Sequence, residues 1–237
     1  MGEPAGVRPY TVLSCCVSLD GYLDDASERR LVLSNAADLD RVDGLRAECD
    51  AILVGAATVR NDDPRLLIRS AERRDRRVRR GLAPDPVKVT VTASAKLDPG
   101  ARFFTAGDGE RVVYCAGPAA EAVRAVAGPR ARVVDAGARP AMAWVSRDLA
   151  GRGVRRLLVE GGASVLTQFL TAGLADELQL VVAPLFVGDG AGTRFVGAGE
   201  FPWNRDRRAR LVESRPVGDV VLLRYALSER CGGAPGR

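Results

Sequence analysis

The feature that most constrains the fold is a short apolar run at residues 51–54 (AILV), which ends abruptly at Gly55. Four apolar residues in a row are typical of a strand that is buried on both faces of a helix-covered sheet. A dense polar segment, residues 56–65 (AATVRNDDPR), follows at once. Because ligands bind beyond the carboxyl ends of strands in open α/β sheets, this segment is a candidate ligand site.

Strand-like and helix-like segments alternate along the chain, which indicates one α/β sheet. The predicted strands are residues 10–19, 51–54, 87–92, 111–115, 131–135, 154–159 and 177–183. The predicted helices are residues 38–49, 118–126, 140–149 and 163–172. Residues 209–214 and 219–226 are predicted to pair as a hairpin across Pro216-Val217-Gly218. The expected fold is a central mixed, mostly parallel sheet flanked by helices, with a C-terminal antiparallel hairpin.

No internal repeat or long linker divides the 237 residues. We therefore expect one domain over residues 1–237, with an ordered core at about 9–228 and frayed Gly- and Pro-rich ends. No apolar run reaches the ~18 to 20 residues that span a bilayer, and the N-terminus lacks the apolar segment of a signal peptide. A cytoplasmic protein without a membrane partner is expected.

The composition excludes several classes of chemistry. The chain has no histidine, which removes Ser-His-Asp triads, Cys–His pairs and His-ligated zinc. Its five cysteines lack CxxC spacing and are predicted to be reduced thiols, mostly in the core, so no metal site is expected. Catalysis must then use carboxylates, hydroxyls, water or a bound cofactor.

Seven arginines crowd residues 69–81 (RSAERRDRRVRRG), where apolar residues are almost absent. The composition predicts a solvated, mobile loop, and a contact patch for phosphate or nucleic acid is the alternative. Aromatic residues that could stack on bases are missing nearby, so no nucleic-acid partner is expected.

Two further patterns have a functional and a structural interpretation. At residues 157–164 (LLVEGGAS) a strand ends in two glycines and turns into a helix, where free backbone N–H groups can bind a phosphate; tight packing of the turn is the alternative. Thr58 and Asp62, four residues apart, could hydrogen-bond a ribose or an amide from one helix face, or could belong to an N-cap and a solvated first turn. Asp20-Gly21 is a common turn dipeptide.

Four motifs together resemble a known family. They are SLDG at residues 18–21, DAILVGAATVRNDDPRL at 50–66, VEGG at 159–162 and GLADEL at 173–178. Their order and approximate spacing resemble the pyrimidine reductases of the riboflavin pathway, which are the reductase domain of the bifunctional deaminase-reductase and its stand-alone relatives. The resemblance spans about residues 10–227 and implies a dihydrofolate-reductase-like fold, usually as a homodimer.

The resemblance implies that NADPH reduces the ribosyl chain of a phosphorylated small molecule, a 5-phosphoribosylamino-pyrimidine (diaminopyrimidinone or aminouracil), to the ribityl chain. The residues that it assigns to the cofactor are Cys16, Thr58, Asp62, Thr92, Ser94, Gly161, Gly162, Ala163, Ser164 and Val165. Those that it assigns to the substrate are Arg30, Arg46, Leu66, Arg69 and Glu160, with Arg30 placed to reach the phosphate. Asp20 and Glu160 are the candidate catalytic residues.

Two departures from the family pattern leave alternatives open. The chain lacks the HxE and PCxxC signature of the zinc deaminase, so it cannot deaminate by that route. Ser14 stands where some relatives have a lysine four residues before SLDG, which leaves the proton donor open between water and Asp20 acting through water. A related NADPH reductase acting on another heterocycle is therefore the alternative function, and a nucleic-acid binder using the Arg-rich segment is a remote one.

Overall fold

The computed structural model describes residues 8–27 and 31–232. Its strands form a mixed, mostly parallel sheet flanked by helices, with antiparallel strands at the C-terminal end, which confirms the predicted fold class. The strands are β1 Tyr10–Ser18, β2 Tyr22–Asp24, β3 Ala51–Gly55, β4 Val87–Thr92, β5 Arg111–Cys115, β6 Arg132–Asp135, β7 Arg156–Gly161, β8 Glu177–Ala183, β9 Thr193–Arg194, β10 Arg210–Val217 and β11 Val220–Ala226. The helices are α1 Ala36–Ala47, α2 Ala56–Asp62, α3 Ala71–Arg79, α4 Arg102–Thr105, α5 Ala120–Ala127, α6 Met142–Gly151 and α7 Ala163–Thr171, with 3-10 turns at Gly117–Ala119 and Gly128–Arg130.

The chain divides into two compact units, which are described in turn. Of the described residues, the first unit contains 8–9 and 43–158, and the second contains 10–27, 31–42 and 159–232. The single domain expected from the sequence stays a prediction.

In the first unit, β3, β4, β5 and β6 pair side by side in parallel. All five residues of β3 are buried, as its uninterrupted apolar sequence predicts. Tyr114 on β5 is also fully buried, and its hydroxyl donates to Asp148 on α6 at 2.6 Å. Since neighbouring parallel strands run the same way, the segments that follow β3 and β4 leave the sheet at the same edge.

In the second unit, β8 pairs in parallel with β1 and antiparallel with β11, and β11 pairs with β10 as a hairpin. The predicted turn at residues 216–218 is wrong, because Pro216 and Val217 lie within β10 and the chain reverses at Gly218 and Asp219. β10 is an edge strand. Proline is tolerated on an edge strand, because its missing N–H can face the side on which no neighbouring strand accepts a hydrogen bond. The side chain of Asn35 holds the turn by donating to the carbonyl of Val217 at 2.7 Å.

The arginine-rich segment is a helix, so the predicted mobile loop is wrong. Helix α3 begins after Ser70, whose hydroxyl accepts the N–H of Arg73 at 3.3 Å as an N-cap. The segment has an amphipathic pattern with a single buried position, and that position is an arginine rather than an apolar residue. A composition count treats such a helix as polar throughout and therefore as a loop.

The buried arginine of α3 is Arg77, which is only 3% exposed. Its guanidinium donates to the carbonyl oxygens of Ala47 at 3.0 Å, Cys49 at 2.7 Å and Ala83 at 2.8 Å. Ala47 ends α1, so its carbonyl is one that the helix leaves without an internal donor, and Cys49 lies in the connection between α1 and β3. Helix α3 is thereby fixed to the connection between α1 and β3.

All five cysteines are free thiols, as predicted, and three of them are buried. Within residues 8–27 and 31–232, no helix is long and apolar enough to cross a membrane. The same residues contain no cluster of three or more acidic or thiol side chains that could hold a metal ion.

Replacing Arg77 with alanine is expected to lower the free energy of unfolding by about 3 kcal/mol, because three carbonyl oxygens, among them that of the buried Cys49, lose a charged donor. The matched control is Arg76→Ala on the same helix, whose ion pair with Glu72 is more than half exposed on both sides. We expect that control to cost about 0.5 kcal/mol or less. Urea unfolding followed by circular dichroism measures both, and equal losses would contradict the anchoring role of Arg77.

Candidate functional site

The predicted site residues are divided between the two units, and those of each unit are described by themselves. Those in the first unit are Arg46, Thr58, Asp62, Leu66, Arg69, Thr92 and Ser94. Those in the second unit are Cys16, Asp20, Glu160, Gly161, Gly162, Ala163, Ser164 and Val165. Arg30 lies outside the described residues.

Thr58 and Asp62 lie on α2, which follows β3 without a break. Gly55 is the N-cap of this helix and no side chain caps it, so the N-cap in the structural alternative is wrong, while Thr58 does lie in the first turn. A separation of four residues places Thr58 and Asp62 on one helix face, and both are half-buried. The helix therefore presents a hydroxyl and a carboxylate together at the carboxyl end of a buried strand.

The second polar contribution at this edge comes from the end of β4. The Thr92 hydroxyl donates to the carbonyl oxygen of Ser94 at 2.5 Å and accepts the N–H of Ser94 at 3.2 Å. Thr92 thus uses its hydroxyl to shape the turn after the strand. Because β3 and β4 are parallel neighbours, this turn and the start of α2 lie at the same edge of the sheet.

Leu66 and Arg69 lie in an irregular segment, residues 63–70, between α2 and α3. Leu66 is 1% exposed and has φ 49°, and Asp63 has φ 41°. They are the only non-glycine residues with positive φ in the described chain. A left-handed backbone is costly for a branched side chain such as Leu66 and persists only where surrounding contacts enforce it, which makes this segment a functional candidate.

In the second unit, β7 ends at Gly161 and α7 begins directly after Gly162. Both glycines have positive φ, 141° and 85°, so the turn needs them for its conformation. A Cβ added at Gly161 would meet no atom within 4 Å, which argues against tight packing as the reason for glycine there. No side chain among the described residues caps the start of α7. The helix start thus offers backbone N–H groups beside open space, which suits an anionic group.

Glu160 and Cys16 lie on strands of the second unit. Glu160 is half-buried on β7, immediately before the glycine pair, and takes part in contacts with its surroundings. Cys16 lies on β1 opposite Val181 of β8. Burial raises the pKa of the Cys16 thiol to about 12, so it is neutral at physiological pH and does not act as a thiolate.

The Asp20 carboxylate is bound by its surroundings. It accepts the Ser18 hydroxyl at 2.5 Å and the backbone N–H groups of Val187 at 3.1 Å and Gly188 at 2.8 Å. These bonds, that of Ser18 first, lower the pKa of Asp20 to about 2. Asp20 is then ionised at neutral pH and anchors the loop after β8, so its contacts do not favour the predicted role in proton donation.

The family model described as the RibD C-terminal domain matches residues 9–223 of the chain. The chain belongs to the RibD C-terminal domain family. This confirms the resemblance that the four sequence motifs carry.

Named relatives of this RibD C-terminal domain include two archaeal proteins. The 2,5-diamino-6-ribosylamino-4(3H)-pyrimidinone 5′-phosphate reductase of Archaeoglobus fulgidus is 37% identical over 184 residues, which cover 77% of this chain and 83% of the relative. The protein of the same name from Methanothermobacter thermautotrophicus is 34% identical over 224 residues, covering 93% and 99%.

Solved structures share the fold of this RibD C-terminal domain. A pyrimidine reductase-like protein from Corynebacterium diphtheriae has a TM-score of 0.78 at 20% identity, covering 92% of this chain and 91% of that chain. Acinetobacter baumannii RibD, form 1, has a TM-score of 0.74 at 22% identity and covers 92% of this chain. The chain spans 58% of the Acinetobacter protein. At these identities the likeness establishes the fold alone.

Two carboxylates of this RibD C-terminal domain were missed by sequence reasoning. Asp43 on α1 and Asp85 before β4 both accept backbone N–H groups of residues 68–70. Asp43 stands three residues before Arg46, so helical spacing places it on the face of α1 that carries a predicted substrate residue. That spacing is a usable signal. Asp85 lies in a Pro-Asp-Pro sequence and gives no comparable one.

Replacing Asp20 with asparagine is expected to accelerate amide hydrogen exchange at Val187 and Gly188 at pH 7, because the ionised acceptor of both N–H groups is lost. Since the folded-state pKa of about 2 lies below the ordinary 3.8, the contribution of Asp20 is complete above the ordinary value and is lost as the pH falls through about 2. Asp108→Asn, at an exposed position, is the control. Unchanged exchange in the Asp20 variant would contradict the anchoring contact.

Proposed function

We propose that this chain reduces 2,5-diamino-6-ribosylamino-4(3H)-pyrimidinone 5′-phosphate with NADPH and converts its ribosyl chain to the ribityl chain. The observation that carries the proposal is the 37% identity with a relative of that name over 83% of the relative's length. The names of the relatives favour the diaminopyrimidinone over the deaminated aminouracil as substrate. The local geometry of both residue groups agrees with a nucleotide cofactor and an anionic substrate.

The cofactor contacts in this proposal come from several backbone and side-chain groups. The start of α7 binds a cofactor phosphate through the backbone N–H groups of residues 162–164, since no side chain caps the helix and a Cβ at Gly161 would enter open space. The N–H of Val165 already donates to the carbonyl of Gly162 at 2.9 Å, so Val165 contributes its position at the helix start and not its N–H. Thr58 and Asp62 bind hydroxyl or amide groups of the cofactor from one face of α2. Bound NADPH would supply the hydride, and the protein orients it.

The substrate contacts in this proposal are one carboxylate and two arginines. Glu160 accepts hydrogen bonds from the amino-pyrimidine, because a carboxylate beside an anion-binding turn suits an N–H donor better than a phosphate. Arg46 and Arg69 bind the 5′-phosphate, for which a guanidinium is the suitable partner. Leu66 is only 1% exposed, so in this proposal it packs beneath the segment that carries Arg69 instead of contacting the substrate.

The proton required by the reduction is assigned to water. Hydride reaches C1′ of the ring-opened imine form of the substrate, the C=N π electrons move to nitrogen, and the nitrogen takes a proton. Asp20 has no proton to give at neutral pH, because its pKa is lowered to about 2. Water bound with the substrate is the remaining donor of the two that the sequence left open.

The homodimer that the resemblance implies belongs to the same proposal. Strand β10 is the last in the strand order, and Leu211 and Val212 on it are 51% and 40% exposed. An outer strand with exposed apolar side chains favours self-association.

The function is tested by following the absorbance of NADPH at 340 nm with the diaminopyrimidinone phosphate and, separately, with its deaminated form. We expect oxidation of NADPH with the diaminopyrimidinone, a slower reaction with the deaminated form, and a weaker reaction with NADH. Formation of the ribityl product is confirmed by mass spectrometry. NADPH binding without turnover of either pyrimidine would redirect the assignment to another heterocycle, and no affinity for nicotinamide cofactors would contradict it altogether.

Glu160→Gln is expected to lower kcat/KM by tenfold to about a hundredfold, because the amide removes a charged hydrogen-bond acceptor for the pyrimidine. The dissociation constant for NADPH, measured by fluorescence titration, should change less than twofold. Glu200→Gln, at an exposed position outside the proposed site, is the matched control. Parallel loss of turnover and NADPH affinity would place Glu160 at the cofactor instead of the substrate.

A further inference from the structure

We propose that Asp43 is a positioning residue that acts through Arg69 to set the affinity for the phosphorylated substrate. This inference rests on the proposed function and adds a residue to it. Asp43 lies on α1 and is only 2% exposed, so it does not itself face a ligand.

The contacts of Asp43 account for both of its carboxylate oxygens. One oxygen accepts the backbone N–H of Arg69 at 2.5 Å. The other accepts the N–H of Ser70 at 3.2 Å and the guanidinium of Arg73 at 2.9 Å. Burial alone would raise the pKa of Asp43, but the N–H of Arg69 and the Arg73 side chain outweigh it and hold the pKa below the ordinary value. The carboxylate is therefore ionised and binds two consecutive backbone N–H groups.

The segment that Asp43 binds has no strand or helix of its own to fix it. Residues 63–70 lie outside regular secondary structure, so side chains provide the partners of their backbone groups. Arg46 donates to the carbonyl of Leu67 at 2.9 Å, and Asp85 accepts the N–H of Ile68 at 2.7 Å. With the two bonds of Asp43, side chains bind every residue from 67 to 70. The conformation of the segment is therefore set by three side chains.

The position of Arg69 depends most directly on Asp43. Its N–H is bound by the buried carboxylate, while its side chain is exposed at the surface where a ligand can reach it. Three residues earlier, Leu66 is held at a strained φ of 49°, so the segment would relax if its anchors were removed. Asp43 binds Arg73 through its guanidinium but binds Arg69 through its backbone N–H. Of the two arginines, Arg69 is therefore the one whose backbone Asp43 positions.

Asp43→Asn is the test, because the amide replaces an acceptor oxygen by a donor facing the N–H of Arg69 or Ser70. We expect the KM for the diaminopyrimidinone phosphate to rise about tenfold, from the loss of a hydrogen bond to a charged group, with kcat at saturation and NADPH affinity within twofold of the native values. Asp75→Asn on α3, an exposed carboxylate, is the matched control and should leave all three unchanged.

A double-mutant cycle with Arg69→Ala separates positioning from a general structural role. If Asp43 acts through Arg69, the double variant has the same KM as Arg69→Ala alone. Independent, multiplying effects on KM would overturn the inference. A lower melting temperature with an unchanged KM for Asp43→Asn would overturn it as well, since a structural role alone predicts that pattern.

Asp43→Glu keeps the charge and serves if the asparagine variant does not fold. Its extra methylene displaces the acceptor, so we expect a KM raised at least threefold with little change in melting temperature; an unchanged KM overturns the inference.

The proposed function and the inference on Asp43 are contradicted by different results. A native enzyme that oxidises no NADPH with either pyrimidine overturns the proposed function and this inference with it. An active native enzyme whose KM is insensitive to Asp43 overturns the inference alone.

Discussion

The parallel pairing of β3 with β4 is the constraint on which the candidate site in the first unit depends. Parallel strands require both faces to be covered, which is why residues 51–54 carry no polar side chain and all of β3 is buried. The same pairing sends the chain out of both strands at one edge. Polar groups lie at that edge, on α2 and at Thr92, where β4 ends. The site is thus a consequence of how this sheet is built.

Single carboxylates fix irregular parts of the molecule. Asp43 and Asp85 bind the backbone between α2 and α3, and Asp20 binds the loop after β8. A hydrogen bond from a backbone N–H to an ionised carboxylate is stronger than one to a neutral acceptor, so each carboxylate fixes the backbone that supplies its donors. For Asp43, which is 2% exposed, these donors also offset the cost of burying the charge. These irregular segments are held in this way without strand or helix pairing. Their conformation then depends on single side chains.

The sequence predicted those parts of the fold whose signals are local. Apolar, β-branched runs gave the predicted bounds of β4, β5 and β8, and the segment after Gly55 is the helix on which the Thr58–Asp62 spacing depends. Helix α3 was missed, because its buried position is Arg77, two of whose three acceptors, Ala47 and Cys49, are distant in the chain. The turn after β10 was misplaced because Asn35, far away in sequence, selects it. Composition cannot report such tertiary contacts.

Among the site residues as well, features with a local sequence signal could be predicted, and features that depend on tertiary contacts could not. The glycine pair before α7 could be read from LLVEGGAS, since a strand that turns directly into a helix needs the positive φ values found there. The sequence did not predict that Asp20 is ionised and binds a loop, because this depends on the N–H groups of residues 187 and 188, which are distant in the chain. Four collinear motifs carried the family assignment.

The most direct test of the account is a titration of the ¹⁵N-labelled protein with NADPH, followed by amide chemical shifts. The account predicts that the amides of Ala163 and Ser164 at the start of α7 shift with a saturable dissociation constant. Unshifted amides of both residues at saturating NADPH would contradict it.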